Sequence, residues 1–496
     1  MFRKNYIVKI NLPGGIVATG DLHAIIDAAE LARVPDMQFG VRQQLFCRVQ
    51  DRHGAAFLRS LEAAGIFYET EKERFPNIIS SYVTEGVFSK SAWVSEGLYK
   101  DILEGFDHRP AVKINLVESS QSFVPFFTGH LNFVSSGLNN HWHLVVRRPG
   151  TNELFHWGKV VYSTEIPRVS RLLEEELGAG GNGSRVEAAF ANDPAAPELR
   201  LPTFRLPYYE GFNRYGNKYW LGIYRREELF PLSFLKDLCL VCRKTKIGQI
   251  YTTPWKSMLI KGIEESDLPL WEYILGKYRM NIRHASNELN WQIDDHSPDG
   301  LRLKRYLVRQ LDQDDIRTEG LSFAVKLQKG SGLPGSIVIR KQAEIRPGQQ
   351  KLLDRYELWH TADYDPHTRE MILFRKDLEK ETLFPYIVSL CKDFYSLQSQ
   401  RGAVALQSQR GAVVAEDTLR YQVSEGSGDR EILWECKDCL TQYHAAYGDP
   451  GSGVPAGTAF ETLGKDYVCP VCGSLKEDFR GVEKERELPP LIPGQS

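Results

Sequence analysis

Read for the spacing of its apolar positions, the chain opens with an alternating run, Tyr6 to Asn11, that predicts a short strand. Pro13-Gly14-Gly15 ends that run. Beyond it, Leu22, Ile25, Ile26 and Ala29 recur at the period of a helix, with Asp21 as the expected cap. MQFGVRQQLFCRV (37–49) predicts a second strand and GAAFLRSLEAAGI (54–66) a second helix. The same order of strand, turn, helix and strand returns about 213 residues later, in NKYWLGIYRREELFPLSFLKDLCLVCRKTKIGQIYTTPWKSMLIKGI (217–263). Recurrence of so large a unit predicts an internal duplication. Each copy continues into further strands, around HRPAVKINLVESSQSFVPFFTGHLNFVSS (108–136) and YELWHTADYDPHTREMILF (356–374).

The predicted boundaries follow. The first repeat covers 1–175, with a half domain to about residue 68, and a Gly/Ala/Pro-rich linker covers 176–200. A second repeat covers 201–395, with its half domain at about 201–265; a linker at 396–430, a small domain at 431–480 and a tail at 481–496 complete the chain. Within the second linker, LQSQRGAVALQSQRGAV (397–413) repeats nine residues almost perfectly, as a tandem duplication in a tolerant connection would. Read as coil, this tether of about 30 residues spans about 30 Å.

Composition narrows the function. Apolar residues make up 42% and charged residues 25% of 496, an ordinary soluble composition for two to four domains. A net charge of −2 provides no basic field for phosphate backbones, so nucleic acid is not an expected partner. The opening residues MFRKNYIVKINLPGG lack a signal-peptide core, and no apolar run reaches the roughly 18–20 residues of a membrane span. A cytoplasmic protein without membrane contact is expected.

Cysteine usage points to one metal site. Of eight cysteines, Cys436, Cys439, Cys469 and Cys472 form two Cys-x-x-Cys knuckles separated by 29 residues. A knuckle lets one turn offer two thiolates to an ion while backbone N–H groups face the sulfurs. Two knuckles close a tetrahedral S4 site suited to iron or zinc. Cys239 and Cys242, three apart in a helical stretch with Leu235 and Leu238, read as small buried residues, and Cys47 and Cys391 as single core thiols. His141 and His143 share one face of a predicted strand and lack a third ligand in the sequence nearby.

The residues between the knuckles resemble the rubredoxin family. The match runs through Gly448-Asp449-Pro450, Pro455, Gly457-Thr458, Phe460-Glu461 and Asp466-Tyr467-Val468-Cys469-Pro470 to Cys472-Gly473, with aromatic residues at Trp434, Tyr443, Phe460, Tyr467 and Phe479. It departs from the family at Leu440, where glycine is usual, and at Tyr467, where tryptophan is usual. The resemblance implies a small aromatic core under one iron ion, an Fe(Cys)4 centre that shuttles one electron. So small a domain draws folding energy from its metal.

Residues 1–395 are similar to the nitrite/sulfite reductase family, on Leu12-Pro13-Gly14-Gly15, a Val41-Arg42-Gln43 strand, and Lys113-Ile114 leading to Leu131-Asn132-Phe133-Val134. The second copy contributes Thr253-Pro254-Trp255-Lys256-Ser257 and Tyr356-Glu357-Leu358. This implies an α/β (α+β) fold: a duplicated body of ferredoxin-like half domains plus α/β domains, followed by the rubredoxin domain. The family holds a [4Fe-4S] cluster and siroheme through a Cys-x5-Cys and a Cys-x3-Cys pair. Here no cysteine lies between Cys242 and Cys391, and Ser119 and Phe123 stand at the Cys-x3-Cys spacing of the first copy. Both groups are therefore expected to be absent. Arg42 and Lys113 match two of the family's basic anion contacts, whereas Pro76 and Ala111 stand at the other two.

Together these readings predict an electron-transfer protein: a rubredoxin centre on a degenerate reductase scaffold that recognises a redox partner. An assimilatory nitrate or nitrite reductase, or a reductase donor, fits the body's ancestry. The alternatives are an active siroheme reductase with a fused donor, and a zinc-binding scaffold without redox chemistry.

Overall fold

The computed structural model describes residues 5–485, except 71–72, 90, 92, 191–193, 329, 343–353, 369, 418–429, 438–440, 444, 446–448, 450–451, 453, 456, 465–466 and 471–473. The chain divides into two compact units, residues 1–401 and 402–496.

The first unit begins with β1 (Asn5–Ile10), β2 (Ile16–Ala18), α1 (Thr19–Leu31), β3 (Asp36–Phe39), β4 (Leu45–Gln50), α2 (Asp51–Ala63) and β5 (Tyr68–Glu69). Next come β6 (Ile79–Ser80), α3 (Glu96–Glu104), β7 (Ile114–Val117), β8 (Leu131–Ser135), β9 (His141–Arg147), β10 (Leu154–Tyr162), α4 (Ile166–Gly178) and α5 (Ser184–Ala189). The second half repeats the scheme with β11 (Gly211–Tyr215), β12 (Lys218–Ile223), β13 (Phe230–Pro231), α6 (Leu232–Lys244), β14 (Gln249–Thr252), β15 (Met258–Ile263) and α7 (Leu268–Lys277). It continues through α8 (Ser286–Leu289), β16 (Trp291–Ile293), α9 (Pro298–Gln313), β17 (Phe323–Lys326), β18 (Ile337–Lys341), β19 (Tyr356–Thr361), β20 (Met371–Leu378) and α10 (Leu383–Asp417).

Sheet topology carries the duplication. Sheets β6-β7-β8-β9-β10 and β16-β17-β18-β19-β20 share one plan, three parallel strands followed by two antiparallel ones. The half domains give sheets β13-β3-β4-β1-β5 and β2-β14-β15-β12-β11, in which the copies exchange an edge strand. Pro231 pairs with Asp36, and Ala18 with Gln249; Ala18 and Pro231 are 213 positions apart, as are Asp36 and Gln249. One apolar core therefore runs through both half domains, from Val8 and Leu22 to Leu235 and Trp271. Residues 5–68 and 201–265 pack as one interlocked body.

Several local expectations are corrected. MQFGVRQQLFCRV is an antiparallel hairpin, β3 and β4, and Val41-Arg42-Gln43 is its turn. Gln43 at φ 59° and its counterpart Lys256 at φ 54° supply the left-handed step that closes each hairpin. The first helix starts at Thr19, so Asp21 sits in its first turn, where an acid meets the positive end of the helix dipole. The 176–200 stretch carries the end of α4 and all of α5, and Ala195 bridges to Lys159 on β10. The 396–417 part of the expected coil belongs to α10. No helix among the described residues is long and apolar enough to cross a membrane.

The second unit contains a small sheet, β22-β21-β23, of β21 (Arg430–Cys436), β22 (Gln442–Tyr443) and β23 (Phe479–Glu485).

Candidate functional site

In the C-terminal unit, the described cysteines sit in matching loops. The Cys436 N–H donates to Thr441 O at 2.9 Å and the Cys469 N–H to Ser474 O at 2.8 Å, in each case five residues on. Equal closure of the two loops is what paired knuckles require, because each must turn through four residues to bring its second thiol beside its first. Cys436 and Cys469 are buried at the base. Cys439, Cys472 and Leu440 lie outside the described residues.

Aromatic rings pack with Cys436 and Cys469 in one small core. Trp434 stacks on Phe460 with centroids 4.6 Å apart, and Phe460 meets Tyr443 at 5.3 Å and Phe479 at 5.0 Å. Each polar ring edge has a partner: Trp434 Nε1 donates to Glu461 Oε1 at 3.2 Å, the Tyr443 hydroxyl to Thr458 O at 2.8 Å, and the Tyr467 hydroxyl to Asp449 Oδ2 at 3.1 Å. Tyr467 keeps its hydroxyl protonated, pushed above the usual phenol range by burial and by the Asp449 bond. Cysteines packed on an apolar, hydrogen-bonded aromatic core suit a thiophilic ion of tetrahedral habit.

A second candidate site lies in the first unit. A cleft of about 530 Å³ opens between the β3–β4 turn, the start of β7, and the loops that follow β16 and β17. Arg42 and Lys113 both line it. Most of the Arg42 guanidinium is committed to structure: Nη2 donates to Asn77 O at 2.7 Å and Ile114 O at 3.0 Å, and Nη1 to Asn115 Oδ1 at 3.3 Å. Asn77 Nδ2 returns a bond to Arg42 O at 2.9 Å, which locks the turn to the adjoining strand. Burial lowers Arg42 to about 10 and, with Arg42 beside it, lowers Lys113 too. Burial, then the charges of Arg147, Lys113 and Arg42, push His130 down to about 3, and its Nδ1 accepts from the Lys113 N–H at 3.2 Å.

Carboxylates missed in the sequence face these cations. Glu69, Glu73, Asp294 and Asp295 line the cleft against Lys9, Arg42 and Lys113. Lys9 pairs with Glu69 at 2.5 Å and Glu73 at 3.1 Å, while buried Lys256 pairs with Glu228 at 2.7 Å and Asp295 at 3.5 Å. Asp295 is raised to about 6 by burial, and His296 beside it is lowered to about 4 by burial and Lys256. Arg42, Lys113 and Lys256 stand in the sequence motifs given above, and the carboxylates do not. The lining carboxylates come from two stretches more than 200 residues apart, 69–73 and 294–295, and no local spacing signals them.

The remaining candidates are structural. Cys239 and Cys242 are buried on α6, and burial raises the Cys239 thiol to about 12 and Cys242 further. Cys47 and Cys391 are buried thiols at about 12. His141 and His143 lie on β9, and among the described residues no group of three His, Cys, Asp or Glu is placed to hold a metal.

The chain matches the rubredoxin family over residues 433–479. Over 46 residues it is 48% identical to Rubredoxin-2 of Chlorobaculum tepidum, covering 9% of this chain and 88% of that one. It is 46% identical over 50 residues to Rubredoxin-2 of Pseudomonas aeruginosa, covering 10% and 91%. The body has the fold of the Mycobacterium tuberculosis NirA protein: TM-score 0.61 at 14% identity, over 79% of this chain and 81% of that one. The expected duplicated α/β architecture is thus shared with the NirA protein. With both likenesses established, the chain belongs to the rubredoxin family through its C-terminal domain, carried on a NirA-like body.

Proposed function

We propose that this protein is an electron carrier, in which a rubredoxin Fe(Cys)4 centre is joined to a reductase-like body that no longer reduces an anion itself and instead recognises a redox partner. The observation that carries this reading is the pair of equivalent loops holding Cys436 and Cys469 over an aromatic floor, within a segment of rubredoxin sequence. When bound by Cys436, Cys439, Cys469 and Cys472, the iron supplies a site that takes up and releases one electron. The chain's part is to donate backbone N–H groups around the sulfurs and to keep the donor set dry from below.

Two features support a body without siroheme or a [4Fe-4S] cluster. The sequence between Cys242 and Cys391 has no thiolate to offer, and oxygen or ring side chains do not replace cluster cysteines. In the cleft, the cations that would attract an anion face four carboxylates among the described residues. The NirA-like fold favours a partner in nitrogen or sulfur assimilation, such as a nitrate or nitrite reductase or the donor that feeds one.

The competing reading, an active siroheme reductase with its own donor, draws on Arg42 and Lys113 still lining the cleft. Purification from cells that also make siroheme separates the two. The proposal expects red Fe(III)–thiolate absorption, one iron per chain, and neither siroheme nor acid-labile sulfide. Near-stoichiometric siroheme supports the competing reading, and a colourless zinc protein contradicts both.

A further inference from the structure

The cleft of the first unit is dipolar. On one wall, Arg42 Nε is buried without a hydrogen-bond partner among the described residues, and no ion pair reaches Lys113 Nζ among them. On the facing wall Glu69 and Glu73 flank Lys9, and Asp295 shares buried Lys256, which does not line the cleft, with Glu228. Each of those groups carries one negative charge more than it neutralises. Glu73 and Asp295 both lie close enough to Lys113 to favour its charged form.

Two buried amides in the same lining, Gln44 through Oε1 and Gln292 through Nε2, also lack partners among the described residues. Both are about nine-tenths buried or more, at 3% exposure each. Unpartnered buried amides and a guanidinium N–H around one cleft are costly unless something polar fills it. Ile7, Val41, Phe46, Pro125, Pro254 and Leu333 give the lining an apolar part beside the polar Thr70, Thr128, Gln328 and Ser331.

We propose that this cleft binds a small zwitterion, an α-amino acid with an apolar side chain, whose carboxylate sits against Arg42 and Lys113 and whose ammonium faces Glu73 and Asp295. A simple inorganic anion would answer only the cationic wall and leave the acidic groups facing it. A molecule carrying both charges answers both walls, and its side chain covers the apolar lining. The volume of about 530 Å³ is within the range of small-molecule sites and exceeds the needs of a single inorganic ion. The iron domain plays no part, so the site stands or falls apart from the electron-transfer reading.

Calorimetry on the full chain tests it, with L-methionine as the probe. Controls are 3-(methylthio)propylamine, 4-(methylthio)butanoate, nitrite and sulfite, which each lack one charge or the side chain. Saturable binding of methionine is expected, weakened roughly tenfold or more by loss of either charge, as for a hydrogen-bonded charge pair. Lys113→Met and Asp295→Asn, each checked for an unchanged fold by circular dichroism, are expected to weaken methionine to a similar degree. Absence of methionine binding to the wild type overturns the proposal. Equal affinity for methionine and its desamino analogue, or nitrite or sulfite bound in its place, overturns it too.

Discussion

Gln43 and Lys256 occupy the same left-handed turn position in the two halves, and both are buried, yet one is neutral and the other a cation paired with carboxylates. Gln43 spends its amide on Ser80 O and Thr252 O, at 3.1 and 2.9 Å, and an added Cβ at Gly15 would lie 2.4 Å from its Nε2. Glycine at 15 is thus required by close approach as well as by its φ of 76°. Lys256 instead pairs with Glu228 and with Asp295, which lines the cleft. There, His296 provides a pH test. Its folded value is depressed to about 4 against an ordinary value near 6.5, so the unfolded chain binds more protons between those limits. Stability contributed by His296 is therefore present above about pH 6.5 and lost as pH falls toward 4, up to about 3 kcal/mol. Asp295, raised to about 6, acts in the opposite sense: its contribution is present at low pH and lost as pH rises through 6. Urea titrations should show His296→Gln flattening the acid loss of stability and Asp295→Asn steepening it. Unchanged pH profiles in both variants would remove these groups from the account. In the C-terminal unit, Cys436→Ala or Cys469→Ala should bring iron content to background and unfold that unit, while the first unit keeps its own thermal transition. Full iron retention by either variant would refute the ligand assignment.

At the scale of elements, legibility in the sequence depended on length and on locality. The helix LSFLKDLCLVCRK was readable because a full apolar stripe recurs within thirteen residues, and α6 spans the same residues. The two knuckles were readable because their spacing is itself the chemistry. The hairpin at 37–49 resembles one strand in sequence because its turn, Gly40 to Gln44, interrupts the β pattern with only one glycine and no proline. Exchange of β2 and β13 was not legible at all: three residues and two residues are too short to carry a period, and their partners lie in the other copy. The cleft carboxylates were hidden for the same reason. Strand exchange itself predicts a behaviour. Because β2 completes the sheet of the second half and β13 that of the first, neither half should fold alone. Chains 1–198 and 199–496, expressed together, should co-purify in equal amounts, and 1–198 alone should lack a cooperative unfolding transition. A sharp transition for 1–198 by itself would show that the exchange is dispensable.

For the whole molecule, the question is what joining the two units achieves. A covalent connection holds the iron domain near the body at an effective concentration of roughly millimolar. Severing the chain between Gly411 and Ser424 should leave the iron reducible but slow electron delivery to the partner at micromolar protein. Deleting one nine-residue copy, which a coil would absorb with little effect, removes two and a half turns from α10 and about 13 Å of its length. A drop in delivery is therefore expected from the deletion as well, read by stopped-flow absorbance of the iron centre. The most direct measurement of the central claim is the number of electrons the purified chain accepts in an anaerobic reductive titration followed by absorbance. One Fe(Cys)4 centre and no other redox group predict one electron per chain, with loss of the thiolate-to-iron bands in a single phase. Uptake of several electrons, or bleaching of a tetrapyrrole band, would mean that the body is itself a redox enzyme, and uptake of none would mean that the knuckles hold zinc.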